Sequence, residues 1–368
     1  MERRRLGPDD RELGLAHDRA LARDVAVIGA GGKGLTGARR GLEPTDVQRA
    51  LAAAIEVGVE LIDLSAPDVP GTAGEGLRRI GDELRALRAR DRVVVATAAR
   101  GTGARPPVPG QLQVTVEASL RALRLDAVPL VQLAGWRDAW LDDRAWPELR
   151  GALARLVREG KVLGFGVIAP DDALPARVLA EPWLTSVQIR YSLFDRRAER
   201  TFLPAAQDAK IAVTAREPLA GGGLAGDLGP GTYLPPGDER LAWPRARWAA
   251  LPPEHARLAA YVTHTPPVAT STDAGKAIVD TLRRGPDVEQ ATLAELALRF
   301  AIAHPAITVA IPGVRTIPHV LDDLAWADGR ALPPRIAAAL AARVWCPAWY
   351  GLTADEASPF PPPDHEER

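Results

Sequence analysis

Short runs of apolar, β-branched residues alternate along the chain with longer segments in which apolar residues recur at helical spacing. The strand-like runs occupy residues 24–28, 60–64, 92–97, 130–133, 163–167, 186–189, 211–215 and 307–311. The helical segments include residues 45–57, 75–88, 111–123, 148–158, 198–208, 293–303 and 318–327. Because strands that are each followed by a helix close into a parallel barrel, the pattern predicts an α/β fold, a single (β/α)8 barrel of the TIM type.

One long segment interrupts this alternation. Residues 218–289 form an insertion between strand 7 and helix 7 that is rich in Gly, Pro and aromatic residues and too long for an ordinary loop. In a barrel it would lie over the C-terminal face, where active sites are built. A flap over a cofactor or substrate and a disordered insertion both fit. The barrel would span residues 21–350, after an N-terminal hairpin or arm at 1–20 and before a flexible Pro-rich, acidic tail at 351–368.

Composition narrows the classes of partner. The chain has 368 residues, of which 46% are apolar, and its 46 Lys and Arg nearly balance its 47 Asp and Glu. No basic stripe with interleaved aromatics points to nucleic acid, and no apolar run approaches the roughly 20 residues that span a membrane. The charged N-terminus does not resemble a signal peptide, which predicts a cytoplasmic protein. A small-molecule substrate is therefore the expected partner, while the oligomeric state stays unknown.

Cysteine and histidine give no indication of a metal site. Cys346 is the one cysteine of the chain, so it cannot form an intrachain disulfide. The six histidines do not stand at the spacings that metal ligands show. We therefore expect no metal.

A glycine-rich motif after the first strand resembles a dinucleotide-binding fingerprint. Residues 29–34, GAGGKG, match G-x-G-x-x-G and follow the apolar run VAVI. The fingerprint also needs a helix that opens on the third glycine, but Gly37, Gly41 and Pro44 delay the helix to about Thr45. The motif is therefore interpreted as a flexible first loop of the barrel, not as part of a Rossmann domain.

Several sequence runs, in order along the chain, resemble the aldo-keto reductases. They are LVREGKV at 156–162 with a following Gly-x-Gly-Val strand, VQIRYSL at 187–193, AREPLAG at 215–221, LAELALRF at 293–300 and IPGVRT at 311–316. The resemblance extends over about residues 20–345 and agrees with the predicted barrel. It implies a hydride transfer from NADPH to a carbonyl, with a tyrosine that supplies the proton and is assisted by lysine, aspartate and histidine.

Only the aspartate of that catalytic set has a counterpart here. The resemblance places it at Asp63, at the end of the second strand. The tyrosine position falls on Asp68, or on Pro70 if two residues are inserted, and the lysine and histidine positions fall on Ala98 and Ala134. Because alanine can neither donate a proton nor carry a charge, ordinary carbonyl reduction is not expected from this site.

More positions of the family's cofactor site than of its catalytic set have a counterpart in this chain. Ile168 and Ala169 replace the Ser-Asn pair that holds the nicotinamide carboxamide, and their side chains cannot form hydrogen bonds. Backbone N–H groups of the loop at 218–223 and the helix N-terminus after strand eight suit phosphates. Asp323 would place a negative charge near the adenine. The residues that the resemblance assigns to NADP(H) are Gln188, Arg216, Pro218, Leu219, Gly221, Gly313, Arg315, Thr316, His319 and Asp323.

Three residues are candidates for a replacement chemistry. Asp63 without its lysine would have a raised pKa and act as an acid or base, or else remain as a residue bonded to backbone. Lys33, in the first loop, either reaches the emptied pocket as a cation or is solvated. Tyr191 either donates a proton or packs beside Gln188.

The sequence therefore predicts an aldo-keto-reductase-like, NADP(H)-binding oxidoreductase with a non-standard active site, and a specialised metabolite is one expected substrate. Two alternatives stay open. One is a non-redox enzyme, such as a dehydratase, isomerase or cyclase, on the same barrel. The other is a non-catalytic binding or regulatory homologue, since a fold by itself does not determine function.

Overall fold

The computed structural model describes residues 2–7, 21, 23–32, 44–64, 74–101, 105–225, 239–242, 293–314, 316–327 and 332. Most of the predicted insertion and the whole predicted tail lie outside these residues, and so do Lys33, Asp68, Pro70 and Arg315. The predictions for those positions stay predictions.

Eight parallel strands form one sheet, in the order in which they occur along the chain. The strands of the described residues are β1 (Arg3–Leu6), β2 (Arg23–Ala26), β3 (Ala30–Gly31), β4 (Leu61–Asp63), β5 (Val94–Arg100), β6 (Leu130–Ala134), β7 (Phe165–Ile168), β8 (Leu184–Arg190), β9 (Ala212–Arg216) and β10 (Ile307–Ile311). Parallel bridges from Ile28 to Ala310 and from Gly31 to Gly313 join the first and last strands. The predicted (β/α)8 barrel of the TIM type is confirmed.

The N-terminal end of the barrel is covered by a hairpin. Strands β1 and β2 pair antiparallel, with Arg3 opposite Ala26 and Leu6 opposite Arg23. Leu6, Leu21 and Val25 are buried in one cluster with inward-facing residues of the barrel strands, such as Leu61 and Val94. The hairpin therefore fills the floor of the barrel with apolar side chains and leaves the opposite, C-terminal end for a site.

Amphipathic helices surround the barrel. They are α1 (Pro44–Glu56), α2 (Glu75–Ala86), α3 (Pro109–Leu123), α4 (Trp146–Arg158), α5 (Phe202–Asp208), α6 (Leu293–Ala303) and α7 (Ile317–Ala325). Helix α3 starts and stops on clear local signals: Pro109 stands at its start, and Arg124 ends it in the left-handed conformation at φ 55°. Among the described helices, none is long and apolar enough to cross a membrane.

Candidate functional site

The upper interior of the barrel is polar, whereas its floor is apolar. Successive residues of a strand point to opposite sides of the sheet. A residue that lies two or four positions after an inward-facing apolar residue therefore also faces inward. On β4 this rule leads from Leu61 to Asp63, and on β5 from Ala96 to Ala98 and Arg100. The C-terminal ends of the strands therefore bring chemically active side chains to one end of the barrel.

Asp63 is the centre of this polar layer. Its side chain is 8% exposed, and it accepts hydrogen bonds from Gln132 Nε2 at 3.3 Å and from Gln188 Nε2 at 3.0 Å. Gln132 lies on β6 and Gln188 on β8, so three strands of the barrel meet at this carboxylate. Both carboxylate oxygens of Asp63 therefore have a side-chain amide as partner, and the role of this carboxyl as an acid or base stays a prediction.

Arg100 adds a positive charge near this carboxylate. Burial lowers the pKa of Arg100, and the negative charge of Asp63 opposes that effect. Arg100 lies two residues beyond Ala98, where the family resemblance would place a lysine. The side chain of Ala98 carries no charge. Arg100, at the end of the same strand, still supplies a cation.

The residues at the ends of β8 and β9 carry further charge. Arg190 and Arg216 are partners in the register of these two strands, and Arg216 donates to the carbonyl oxygen of Ala169 at 3.3 Å. Asp171, on the loop after β7, contacts both guanidinium groups. A cluster of alternating charges thus lies beside the Asp63 layer at the C-terminal end of the barrel.

The loop after β9 has an unusual backbone. Glu217 and Ala220 adopt positive φ angles of 55° and 50° although neither is glycine, and Gly221 follows at 69°. Left-handed conformations at non-glycine residues cost free energy and concentrate at functional sites. Pro218 is buried, and Leu219 packs against the main core, which fixes the loop to the barrel.

The N-terminus of α7 lies beyond the last barrel strand. The side chain of Thr316 caps this helix by accepting from the backbone N–H of His319, and its hydroxyl lies 3.0 Å from Nδ1 of the same histidine. A Cβ added at Gly313 would meet open space, so the chain is accessible just before the helix. Asp323 is buried on the helix, and burial raises its pKa to about 7, with a further contribution from Asp322.

Tyr191 does not join this site. Its ring stacks on Phe300 of α6 at 5.9 Å, and its hydroxyl donates to Glu199 at 2.7 Å. The phenol thus lies on the helix-facing side of β8, opposite the inward side on which Gln188 meets Asp63. Burial and then the charge of Glu199 raise the pKa of Tyr191 well above its ordinary value. The geometry supports packing and not proton donation.

Sequence reasoning identified Asp63, Gln188 and Arg216 but missed three residues of the site. Gln132, Asp171 and Arg190 take part in its hydrogen bonds and ion pairs. For Gln132 and Arg190 the available signal was strand parity, because each lies an even number of residues from an interior position of its strand. In the described part of the chain, no three His, Cys, Asp or Glu side chains are grouped so as to hold a metal ion.

Comparison with known proteins agrees with the barrel fold. The model of the aldo/keto reductase family matches residues 27–335. The chain is therefore a member of the aldo/keto reductase family. A probable aldo-keto reductase of Glycine max is 27% identical over 308 residues, which cover 80% of this chain and 78% of that protein.

Two bacterial oxidoreductases that are themselves uncharacterized are also similar. One, from Bacillus subtilis, is 24% identical over 339 residues, or 90% of this chain and 93% of its own length. Another from the same organism is 37% identical, but only over 118 residues, which are 30% of this chain and 35% of that protein.

Solved structures give the same fold. The holo form of an aldo-keto reductase from Bacillus halodurans superimposes with a TM-score of 0.63 at 20% identity, with all of both chains covered. An aldo/keto reductase from Klebsiella pneumoniae, in complex with NADP and acetate, gives a TM-score of 0.57 at 23% identity and covers 87% of this chain and 92% of its own.

Proposed function

We propose that this chain is an NADP(H)-binding oxidoreductase of the aldo/keto reductase family with a non-standard active site that acts on a small molecule. The observation that carries the proposal is the Asp63 carboxylate, which two glutamine amides hold at the C-terminal end of the barrel strands. The Klebsiella relative, which was solved in complex with NADP and acetate, supports a dinucleotide as a ligand of this chain.

The residues present fit part of a dinucleotide. In the loop at 218–223 the backbone N–H groups of Ala220, Gly222 and Gly223 donate to carbonyl oxygens of residues 217–220. Leu219 and Gly221 are therefore the residues whose N–H groups would meet a phosphate, and the capped N-terminus of α7 suits a further anion. Gln188 is the remaining polar side chain for the carboxamide, because Ile168 and Ala169 have none to offer. When bound, the cofactor supplies or accepts the hydride.

Asp63 and its amide partners define what the chain itself contributes. The Asp63 carboxyl in its ionised form would accept a proton, so it would suit an alcohol substrate whose hydroxyl proton must leave as the carbon is oxidised. Gln132 and Gln188 fix its direction, and the charge of Arg100 lies close enough to act on it. We therefore expect oxidation of alcohols to be easier to detect than reduction of carbonyls.

Calorimetric titration with NADPH and with NADH tests the cofactor. We expect saturable, one-to-one binding of NADPH in the range of about 1 µM to 1 mM that is common for enzyme ligands. The absence of binding at millimolar NADPH contradicts the proposal. In a separate assay, turnover is measured as the appearance of NADPH from NADP⁺ with a panel of primary and secondary alcohols.

The variant Asp63→Asn separates the chemistry from the binding. It keeps the shape of the side chain but removes its negative charge, so turnover should fall about 10²- to 10⁴-fold. The affinity for NADPH should change less than about threefold, since the phosphate-binding elements are untouched. Asp172→Asn, an exposed carboxylate at the same end of the barrel, is the matched control and should keep full turnover.

A second candidate function is a non-redox reaction, such as a dehydration, isomerisation or cyclisation. The observation that favours it is the bond from Gln188 to Asp63, which engages the amide that the family resemblance assigns to the nicotinamide. An ionised carboxylate can also remove a proton from carbon. Product formation without any NADPH consumed or formed would identify this alternative.

A further inference from the structure

Arg190 is held in place by an acid that is almost fully buried. Its side chain is 6% exposed, and its Nε lies 2.7 Å from Oδ2 of Asp195, which is 1% exposed. Arg197 contacts the same carboxylate at 2.8 Å. Burial opposes ionisation of Asp195, but the hydrogen bond from Arg197 and the charge of Arg190 outweigh it and lower its pKa. The charged, buried Asp195 therefore fixes the position of the Arg190 guanidinium.

Asp171 covers the other side of this guanidinium. Its Oδ2 lies 3.3 Å from Nη1 of Arg190, and its Oδ1 lies 2.5 Å from Nη2 of Arg216. One carboxylate thus bridges two arginines on adjacent strands, in the manner in which arginine pairs bind carboxylate or phosphate groups. The arginine side chains are 6% and 17% exposed, whereas the Asp171 side chain is 66% exposed.

The difference in exposure separates the fixed part of the cluster from its exchangeable part. An ion pair with one solvated partner contributes little free energy, so its carboxylate can leave at small cost. Arg190 stays in place because the buried Asp195 holds its guanidinium, and Arg216 remains bonded to the carbonyl oxygen of Ala169. The backbone of Asp171 also stays in place, since its carbonyl oxygen accepts from Arg197 at 2.9 Å and from Arg190 at 3.4 Å.

Charge and hydrogen bonding both favour replacement by another anion. Without the Asp171 carboxylate, the guanidiniums of Arg190, Arg197 and Arg216 face the carboxylates of Asp195 and Glu217, the latter 3.7 Å from Arg216. These five described groups together carry an excess of one positive charge. The Nε of Arg216 is buried and has no hydrogen-bond partner in the part of the chain that the structure describes. An additional acceptor would satisfy it.

We propose that Arg190 and Arg216 form an oxyanion-binding site at the C-terminal end of the barrel, which Asp171 fills with its own carboxylate until a phosphate or carboxylate group of a ligand displaces it. Anion binding at this site does not depend on whether the protein transfers a hydride. Its ligand group is either a phosphate of a nucleotide or a carboxylate of a substrate.

Calorimetry with inorganic pyrophosphate and, separately, with acetate tests the site without cofactor or turnover. The variant Asp171→Asn removes the internal competitor but keeps the size of the side chain. It should bind at least one of the two anions about tenfold more tightly than the wild type does, since one competing charge is lost. Pyrophosphate as the preferred probe would indicate a nucleotide phosphate, and acetate would indicate a substrate carboxylate.

Asp172→Asn is the matched control. Asp172 is the next residue, 65% exposed, and pairs with Arg137 instead of the bridging arginines. The variant Asp172→Asn removes one negative charge from the same loop, as Asp171→Asn does. Because this exposed charge does not contact the bridging arginines and is screened by salt, its loss should change the anion affinity by no more than about twofold. The double variant Asp171→Asn with Arg216→Gln should lose the gain.

Three results would overturn the proposal. They are no gain for either anion in Asp171→Asn, an equal gain in Asp172→Asn, and a gain that persists in the double variant. Should Arg216→Gln fail to fold, Arg216→Lys in the same background keeps the charge but loses the two-pronged geometry, and it must still remove most of the gain.

Discussion

Two buried carboxyl groups differ in the hydrogen bonds that they accept. Asp63 accepts hydrogen bonds from two side-chain amides. Asp323, on α7, is buried to a similar degree, and burial and then the nearby Asp322 raise its pKa to about 7. Asp323 is therefore close to the point at which it exchanges its proton at neutral pH.

Asp323 should make the stability of the protein depend on pH. The folded state keeps this proton up to about pH 7, whereas an unfolded chain releases it near the ordinary value of 3.8. Stability therefore falls as pH rises between those values, by about 1.4 kcal/mol per unit, and then levels off. Asp323→Asn should remove this slope, so that its stability relative to the wild type rises by roughly 2 kcal/mol from about pH 5 to pH 8.

Urea unfolding at the two pH values measures this effect. Asp322→Asn is the control, because that residue is exposed and contributes only the smaller part of the shift. A difference between Asp323→Asn and the wild type that is the same at both pH values would contradict the prediction.

Tyr191 should prove structural and not catalytic. Tyr191→Phe removes the hydrogen bond to Glu199, but Glu199 keeps its contacts with Arg196. We expect a loss of about 1–2 kcal/mol in the free energy of unfolding, since a charged acceptor loses one donor. Turnover in the alcohol assay should stay within about twofold of the wild type, and a tenfold loss in a folded variant would restore Tyr191 as a catalytic candidate.

At the scale of elements, glycine decides how closely two helices of the outer ring approach. Gly81 is buried in α2, and a Cβ at this position would lie 2.5 Å from the carbonyl oxygen of Leu123, at the end of α3. A contact that short is not possible for a real side chain, so the two helices would have to separate. Gly151, in α4, faces open space.

Alanine at these two glycines should have opposite effects. Gly81→Ala forces the helices apart and should destabilise the protein by about 1–3 kcal/mol, as overpacking of a close contact does. Gly151→Ala should stabilise it by up to about 1 kcal/mol, because alanine is the better helix former. Thermal unfolding of both variants against the wild type measures the difference, and equal effects would show that the α2–α3 contact is not close.

The elements themselves follow well from the sequence, because hydrophobic periodicity is set locally. The predicted run at 307–311 coincides with β10, and the predicted helix at 293–303 coincides with α6. The predicted run at 24–28 is instead divided, since Arg23–Ala26 pairs with β1 in the N-terminal hairpin and Ile28 bridges to Ala310. A single apolar run carries no information about which of two partners each residue meets.

At the scale of the whole molecule, the closed barrel was predictable and the polar network inside it was not. Repetition of strand and helix leaves few topologies, and ordered family motifs select one of them. The partners of Asp63 come from Gln132 and Gln188, which are 69 and 125 residues away along the chain. Their meeting depends on the register of the strands, which the one-dimensional pattern does not specify.

We have proposed an NADP(H) site around Asp63 at the C-terminal end of this barrel. A crystal structure of the protein soaked with NADP⁺ would show whether the cofactor binds there. We expect the nicotinamide to lie beside the Asp63 carboxylate and the phosphates to lie along the loop at 218–223. A dinucleotide bound elsewhere, or a barrel end that remains empty at saturating NADP⁺, would contradict this proposal.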